Sequence, residues 1–218
     1  MCTSKNLTLN TRGSIVALSN SNDLPVNKTL GEISTISTGF SFRGSIPQDP
    51  NGDTRVVQAA NLLGNGSIAD ENGLKRIKVI GRADSVMVSK GDVLLVSRGT
   101  SSGGFKAAFV NEKRFPLIAS SSLHIIRVNR DDILPEFICA YLNTPKGQQQ
   151  LQRIASGSTI RTILTKNLSL LEIPIPPIET QRTIVNLVRN VTSQQKLLQQ
   201  RDSLLNELIS SIVIKKSE

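Results

Sequence analysis

Residues 184–212 read IVNLVRNVTSQQKLLQQRDSLLNELISSI, and their spacing decides the architecture. Ile184, Val191, Leu198, Leu205 and Ile212 stand seven residues apart, with Leu187, Gln194, Arg201 and Leu208 three residues after the first four. A seven-residue apolar repeat sustained in this way specifies one long α-helix with a seam that a second helix covers. Gln194 and Arg201 give the seam a polar centre, which costs some stability and fixes register and orientation. Val188, Leu197, Leu204 and Ile209 widen the apolar face, so a helix lying on its own domain satisfies the same pattern.

Upstream of this helix the periodicity changes. Pro174, Pro176 and Pro177 end a short strand expected over 171–175 and bar regular structure before the helix begins. Phe137, Ile138, Tyr141 and Leu142 recur at helical spacing after Pro135, a residue suited to a first helical turn, and Asn143-Thr144-Pro145 closes that helix. A second helix is expected over 146–154, ahead of the small-residue loop Ala155 to Thr159. Between Leu30 and residue 135 short apolar runs alternate with Gly, Asn, Asp and Pro, the pattern of strands and loops. Strands are expected over 54–59, 77–80, 92–97, 107–110 and 123–128. The loop from Ser97 to Gly104, rich in donors and following the apolar run Val93 to Val96, is expected to be an open contact surface. Residues 1–23, rich in Ser, Asn and Thr, read as a tail or a short packed element.

Composition narrows the function. The 218 residues carry 26 Lys and Arg against 17 Asp and Glu, a net +9, and residues 25–168 hold 18 basic and 11 acidic side chains, or +7 of that total. Such a middle segment points to a polyanionic partner, nucleic acid or membrane surface. No run approaches the roughly 18 to 20 apolar residues of a spanning helix, and no h-region marks a secretory signal, so a cytoplasmic protein with no membrane role is expected. Cys2 and Cys139 are too few and too far apart in sequence for a disulfide framework or a zinc cluster. With no Trp, one Tyr and six Phe, the chain lacks the stacking platforms that single-stranded nucleic acid requires.

Catalytic motifs fail on inspection. Gly99 and Gly104 have the spacing of a phosphate-binding loop, but Phe105 stands where its Lys must be and no Ser or Thr follows Lys106. Ser120-Ser121-Ser122 lies close to His124, the single histidine, without a nucleophile elbow, and His124 falls in the alternating run 123–128 and reads as a strand residue. Asp131-Asp132 reads as a solvated cap and not as a metal pair. What remains is basic: Arg43, the group Lys75, Arg76 and Lys78, Arg98, Lys106, Lys113-Arg114 and Arg161, of which Arg43, Arg98 and Arg161 stand beside Gly, Ser or Thr. Arginine in a Gly/Ser loop reaches guanine edges or phosphates bidentately, which favours Arg43, Arg98 and Arg161. Arg182, Arg189 and Lys196 read as a solvated stripe on the long helix.

Taken in order, the pieces resemble the DNA specificity (S) subunit of type I restriction-modification systems over residues 24–215. The resemblance is carried by Leu24-Pro25, Leu30-Gly31-Glu32-Ile33, Gly39-Phe40-Ser41-Phe42, Val57 to Leu62, Gly66-Ser67-Ile68, Lys90 to Leu94 and Ser97-Arg98-Gly99. It continues through Tyr141-Leu142-Asn143, Gly157 to Ile160, and Ile173 to Gln181 ahead of the heptads. It implies an α+β fold: a target recognition domain with a curved β-sheet and helices over 24–178, then a coiled-coil spacer helix over 179–218. Family members usually hold two such units whose spacer helices pair antiparallel. With one unit, this chain is expected to homodimerise through Ile184, Leu187, Val191, Leu198, Leu205, Leu208 and Ile212.

Two identical readers related by a dyad would recognise a palindromic bipartite site in double-stranded DNA. Arg43, Gln58, Asn61, Arg98, Thr100, Ser101, Lys106, Thr159 and Arg161 are the expected contacts. The chain itself is expected to be non-catalytic and to hold no cofactor. Partner subunits would supply the chemistry, a methyltransferase using S-adenosylmethionine and a restriction subunit using ATP and Mg. A regulatory or anti-restriction decoy, which occupies the methyltransferase or forms mixed dimers, is the other reading.

Overall fold

The computed structural model describes residues 7–9, 15–17, 24–78, 86–100, 104–158 and 160–216. In chain order the elements are strands β1 (Leu7–Leu9), β2 (Ile15–Ala17) and β3 (Val26–Thr29), helix α1 (Leu30–Ile33), and strands β4 (Ser34–Thr38), β5 (Thr54–Val57), β6 (Lys75–Ile77) and β7 (Met87–Val88). Strands β8 (Val93–Val96), β9 (Arg98–Thr100), β10 (Ala107–Phe109), β11 (Leu117–Ala119) and β12 (Leu123–Val128) follow. The chain ends with helices α2 (Pro135–Leu142) and α3 (Pro145–Ile154), strand β13 (Ile160–Thr162), helix α4 (Thr165–Ser169), strand β14 (Glu172–Ile175) and helix α5 (Ile178–Lys216).

The class is α+β, as expected, but the curved sheet resolves into two four-stranded sheets, ordered β10-β8-β12-β4 and β6-β5-β11-β7, with two-stranded ladders β13-β9, β14-β3 and β1-β2 beside them. Strand β8 is buried at every residue because it runs between β10 and β12, which explains its unbroken apolar sequence. The main core joins this sheet to α1, α2 and the first turns of α5, through residues such as Leu30, Leu94, Phe105, Ile126, Ile138 and Val185. A smaller cluster of Val56, Ile77 and Ile118, with Phe40 and Phe42 against it, belongs to the second sheet.

Several expectations shift. The strand expected over 54–59 stops at Val57, because Ala59–Asn61 turns into a 3-10 helix whose preceding amide, Gln58 N–H, donates to Asn61 Oδ1 at 2.8 Å. The strand expected over 77–80 is found at Lys75–Ile77, and residues 79–80 lie outside the described residues. Asp131-Asp132 caps no helix: α2 starts at Pro135 with Leu134 before it, and the Asp132 carboxylate pairs with Arg130 at 2.8 and 2.9 Å, which lowers its pKa. Helix α1 was hidden in sequence by its single turn. Glu32 Oε2 accepts the Thr29 N–H at 2.7 Å, and that bond holds the Glu32 carboxyl below its ordinary pKa.

Helix α5 is no free-standing spacer at its start. Gln181 is fully buried, Val185 is 4% exposed and Ile184 packs against the core, so this seam residue belongs to its own domain. Arg189 forms an ion pair with Glu136 of α2, and Thr192 Oγ1 donates to Asn65 O at 3.4 Å. From Leu187 onward the apolar side chains of the helix are uncovered. Leu187, Val188, Val191, Leu197, Leu198, Leu204, Leu205, Leu208, Ile209 and Ile212 are all between 41% and 65% exposed. No helix of the described residues is long and apolar enough to cross a membrane.

Candidate nucleic-acid interface

The turn Ser120–Ser122 between β11 and β12 gathers the segments that carry the expected contacts. Phe40 bridges Ser120, Ser121 N–H donates to Phe40 O at 2.8 Å, and Gly39 lies so close that a Cβ there would stand 2.3 Å from Ser120 O. Only glycine allows that approach, and it brings Phe42 and the exposed Arg43 to this end of the fold. Ser122 Oγ accepts the Ala59 N–H at 3.2 Å, and Ser122 O accepts the Ser97 N–H at 2.8 Å. The 39–43, 58–61 and 97–100 segments are thereby tied to one turn. Ser120–Ser122 had no functional reading in sequence, where three serines beside a histidine suggested only a nucleophile to be dismissed.

The segment 97–106 differs from the open loop expected. Strands β8 and β10 form a hairpin whose outgoing arm, β9, peels away and pairs antiparallel with β13, setting Arg98 opposite Thr162, Gly99 opposite Arg161 and Thr100 opposite Ile160. A strand of Gly and polar residues, three residues long and paired with another 60 residues on, leaves no periodic trace. Ser101 and Thr159 lie outside the described residues, and of Thr100 only the backbone is described. The returning arm carries Lys106, exposed between buried Phe105 and Ala107.

The side chains sort by what they touch. Arg43, Arg98 and Lys106 are exposed and make no side-chain hydrogen bond to a described residue. Asn61 has its Oδ1 on the Gln58 amide, and Gln58 is half-buried. Arg161 points inward: its guanidinium donates to Gln152 O at 2.6 Å and Ala155 O at 2.9 Å, the carbonyls at the end of α3. Among the other basic residues, Lys113 donates to Val88 O, Arg76 to Pro50 O, and Arg127 pairs with buried Asp92 at 2.8 Å. Arg55, 2% exposed, lies 4.2 Å over the Phe115 ring and donates to Gly52 O.

His124 is 2% exposed on β12 and its Nε2 lies 2.8 Å from Ile163 O, just past β13, so it braces the ladder, as a strand residue should. Burial lowers its pKa. Cys139 on α2 is buried and its thiol is pushed up to about 12 by desolvation and nearby Glu136. No cluster of three or more potential metal ligands occurs among the described residues. A mainly apolar groove of about 700 Å³ lies between α2, the 64–67 loop and the first exposed turns of α5, where Leu187, Val188 and Val191 line it.

The family model for the type I restriction modification DNA specificity domain matches residues 25–207. Three solved structures share the fold. The S subunit of the type I restriction-modification system from M. genitalium superposes with a TM-score of 0.55 at 17% identity, over 87% of this chain and 43% of that one. A structure describing complex assembly and conformational transition of the type I R-M system gives 0.56 at 21%, over 84% and 43%. The HsdS subunit from Thermoanaerobacter tengcongensis gives 0.54 at 22%, over 84% and 42%. The chain therefore spans less than half the length of the solved chains it matches. A sequence match that begins at β3 and runs through the hairpin, both short helices and most of α5 assigns this chain to the type I restriction modification DNA specificity domain family.

Proposed function

We propose that the chain reads double-stranded DNA as the non-catalytic specificity component of a type I restriction-modification system, and that two copies pair through α5 to read a bipartite palindromic site. The observation that carries this reading is the division of α5. Its first turns are locked into one recognition domain by Gln181 and Val185, and its remainder leaves that domain with an uncovered apolar stripe from Leu187 to Ile212. One reader is thus fixed to one end of a rod whose other end needs a partner. Helix α5 continues for about 36 Å past Thr192 at 1.5 Å per residue. That is about one turn of B-DNA, so two readers at opposite ends of an antiparallel pair would address the same side of the duplex.

In this reading Arg43, Arg98 and Lys106 would touch bases or phosphates, Gln58, Asn61, Thr100, Ser101 and Thr159 are further candidate contacts, and Arg161 would support from behind. The remaining surface lysines supply salt-dependent attraction. Adenine methylation and ATP-driven cleavage would belong to separate methyltransferase and restriction subunits in the cytoplasm, which carry S-adenosylmethionine, ATP and Mg.

Co-expression with the methyltransferase subunit and genome-wide mapping of methylated adenines tests the whole reading. A split palindromic motif is expected. A split asymmetric motif would replace the homodimer with a heterologous pair, and methyltransferase binding without any motif would support a decoy role instead.

A further inference from the structure

We propose that Gln148 and Asn143 are positioning residues for sequence readout. Their side-chain amides stand in for a missing neighbour strand along the free edge of β10 and hold the returning arm of the hairpin, with Lys106, in its reading frame. The inference rests on the DNA-reading function proposed above and names the groups that set its geometry.

Strand β10 ends its sheet, so on the outer side its backbone N–H and C=O groups have no strand to bond. These groups belong to alternate residues, and both groups of Phe105 and of Ala107 are met. Phe105 N–H donates to Gln148 Oε1 at 2.9 Å while Phe105 O accepts from Gln148 Nε2 at 2.9 Å. Two residues on, Ala107 N–H donates to Asn143 Oδ1 at 3.0 Å and Ala107 O accepts from Asn143 Nδ2 at 2.9 Å. Phe109 N–H then donates to Gly66 O at 3.0 Å. The reciprocal donor–acceptor pairs reproduce those of an antiparallel ladder, and a carboxamide side chain is the one kind that carries both groups of a peptide.

The corner between α2 and α3 sets the spacing. Asn143 closes α2, Thr144 caps α3 by accepting the Gly147 N–H, and Gln148 follows within the first turns. The second Nε2 proton of Gln148 goes to Leu142 O at 2.7 Å, which fixes the plane of its amide. Gly104 makes room at the other side: with φ +79 at Gly44 as a comparison in an open turn, Gly104 at φ +63 lies where a Cβ would be 3.0 Å from Gln148 Oε1. Clamped on both sides at 105 and 107, the chain presents Lys106 outward.

Helix α3 also holds the other arm. Its last carbonyls, Gln152 O and Ala155 O, accept from Arg161 on β13, and β13 is the strand that carries β9 and Arg98. One ten-residue helix therefore braces the returning arm at its start and the partner of the outgoing arm at its end. Loss of the amide clamp should leave charge and phosphate attraction intact and degrade the relative placement of Lys106 and Arg98.

The test selects duplexes from a random-sequence pool with full-length wild type, Gln148→Leu, Asn143→Leu and Gln148→Glu, and compares the enriched motif, the ratio of specific to non-specific affinity and its salt dependence. Both Leu variants are expected to lose at least tenfold in the ratio with an unchanged non-specific salt slope. Gln148→Glu keeps the acceptor for Phe105 N–H, loses the donors and should fall between. Hydrogen exchange should show faster exchange at the Phe105 and Ala107 amides with other core amides unchanged. An unchanged motif and ratio in folded variants, or an equal loss on every sequence, would overturn the proposal. If the Leu variants do not fold, Gln148→Glu decides by the same ratio. A wild-type chain that enriches no motif would overturn the DNA-reading function itself, and the positioning role with it.

Discussion

Gln181 offers the sharpest test of how α5 is anchored. Its side chain is fully buried and makes three hydrogen bonds: Oε1 accepts the Leu134 N–H at 2.9 Å, and Nε2 donates to Asp132 O at 3.0 Å and Pro176 O at 2.9 Å. One amide therefore ties the turn before α2 to the chain entering α5. Gln181→Leu keeps the approximate volume and removes all three bonds. At about 1 kcal/mol net per bond the loss is about 3 kcal/mol. For a chain of this size that corresponds to a fall in Tm of about 6 to 12 °C.

Gln181→Glu adds a signature of pH. The carboxylate still accepts from Leu134 N–H but, once ionised, faces two carbonyl oxygens in a buried site, so its pKa in the folded state rises above the unfolded value. The folded protein then holds more protons than the unfolded one, and stability relative to wild type is retained at low pH and lost as pH rises through the folded pKa. Thermal unfolding followed by circular dichroism between pH 5 and 8 should show the gap from wild type widening with pH. A Tm change under 2 °C for the Leu variant, or a pH-independent gap for the Glu variant, would refute the reasoning.

Replacing both Leu198 and Leu205 with Asp should give a monomer by light scattering without changing the Tm of the recognition domain, since both side chains are exposed on the free part of α5; a monomeric wild type at micromolar concentration would remove the homodimer. In a Cys2→Ser background, Cys139 should resist an aromatic disulfide reagent at pH 8 and react only as denaturant opens the fold, because burial holds its pKa at about 12. Rapid labelling of the native protein would contradict that burial. His124 has its pKa lowered by burial, so the stability it contributes is present above its ordinary value near 6.5 and is lost as pH falls below it, with a slope of at most about 1.4 kcal/mol per pH unit. His124→Gln, which retains a donor for Ile163 O, should flatten that part of the stability profile, and an identical profile would count against it.

The parts of the fold legible in sequence were those with a period. The α5 heptads, the α2 spacing after Pro135 and the buried run of β8 each announce themselves because a repeating backbone geometry imposes a repeating side-chain pattern. Helix α1, with one turn, and strand β9, with three residues and a distant partner, impose none. Ile184 shows the limit of the heptad itself: its position in the repeat is correct, yet which surface covers it depends on how the domain folds back on α5. Among the candidate contacts, Arg43 and Arg98 stand out in sequence by their Gly and Ser neighbours, and the fold leaves both of them and Lys106 exposed. The inward turn of Arg161 was not, since the carbonyls that draw it in belong to α3 and become acceptors only where that helix ends. Gln148 and Asn143 were missed for a similar reason. A glutamine in a run of three looks like solvated helix surface until an unpaired strand edge is laid against it.

The clamp on β10 is blind to side-chain identity. Gln148 and Asn143 touch main-chain atoms of Phe105 and Ala107, so the residue between them can change without disturbing what holds it. Exchanges at Lys106 or Arg98 should cost the fold no more than ordinary surface substitutions, within about 0.5 kcal/mol. Mutation then samples new side chains at those positions one at a time on an unaltered backbone, and under the proposed DNA-reading function such a protein changes its target by small steps while remaining folded at each of them.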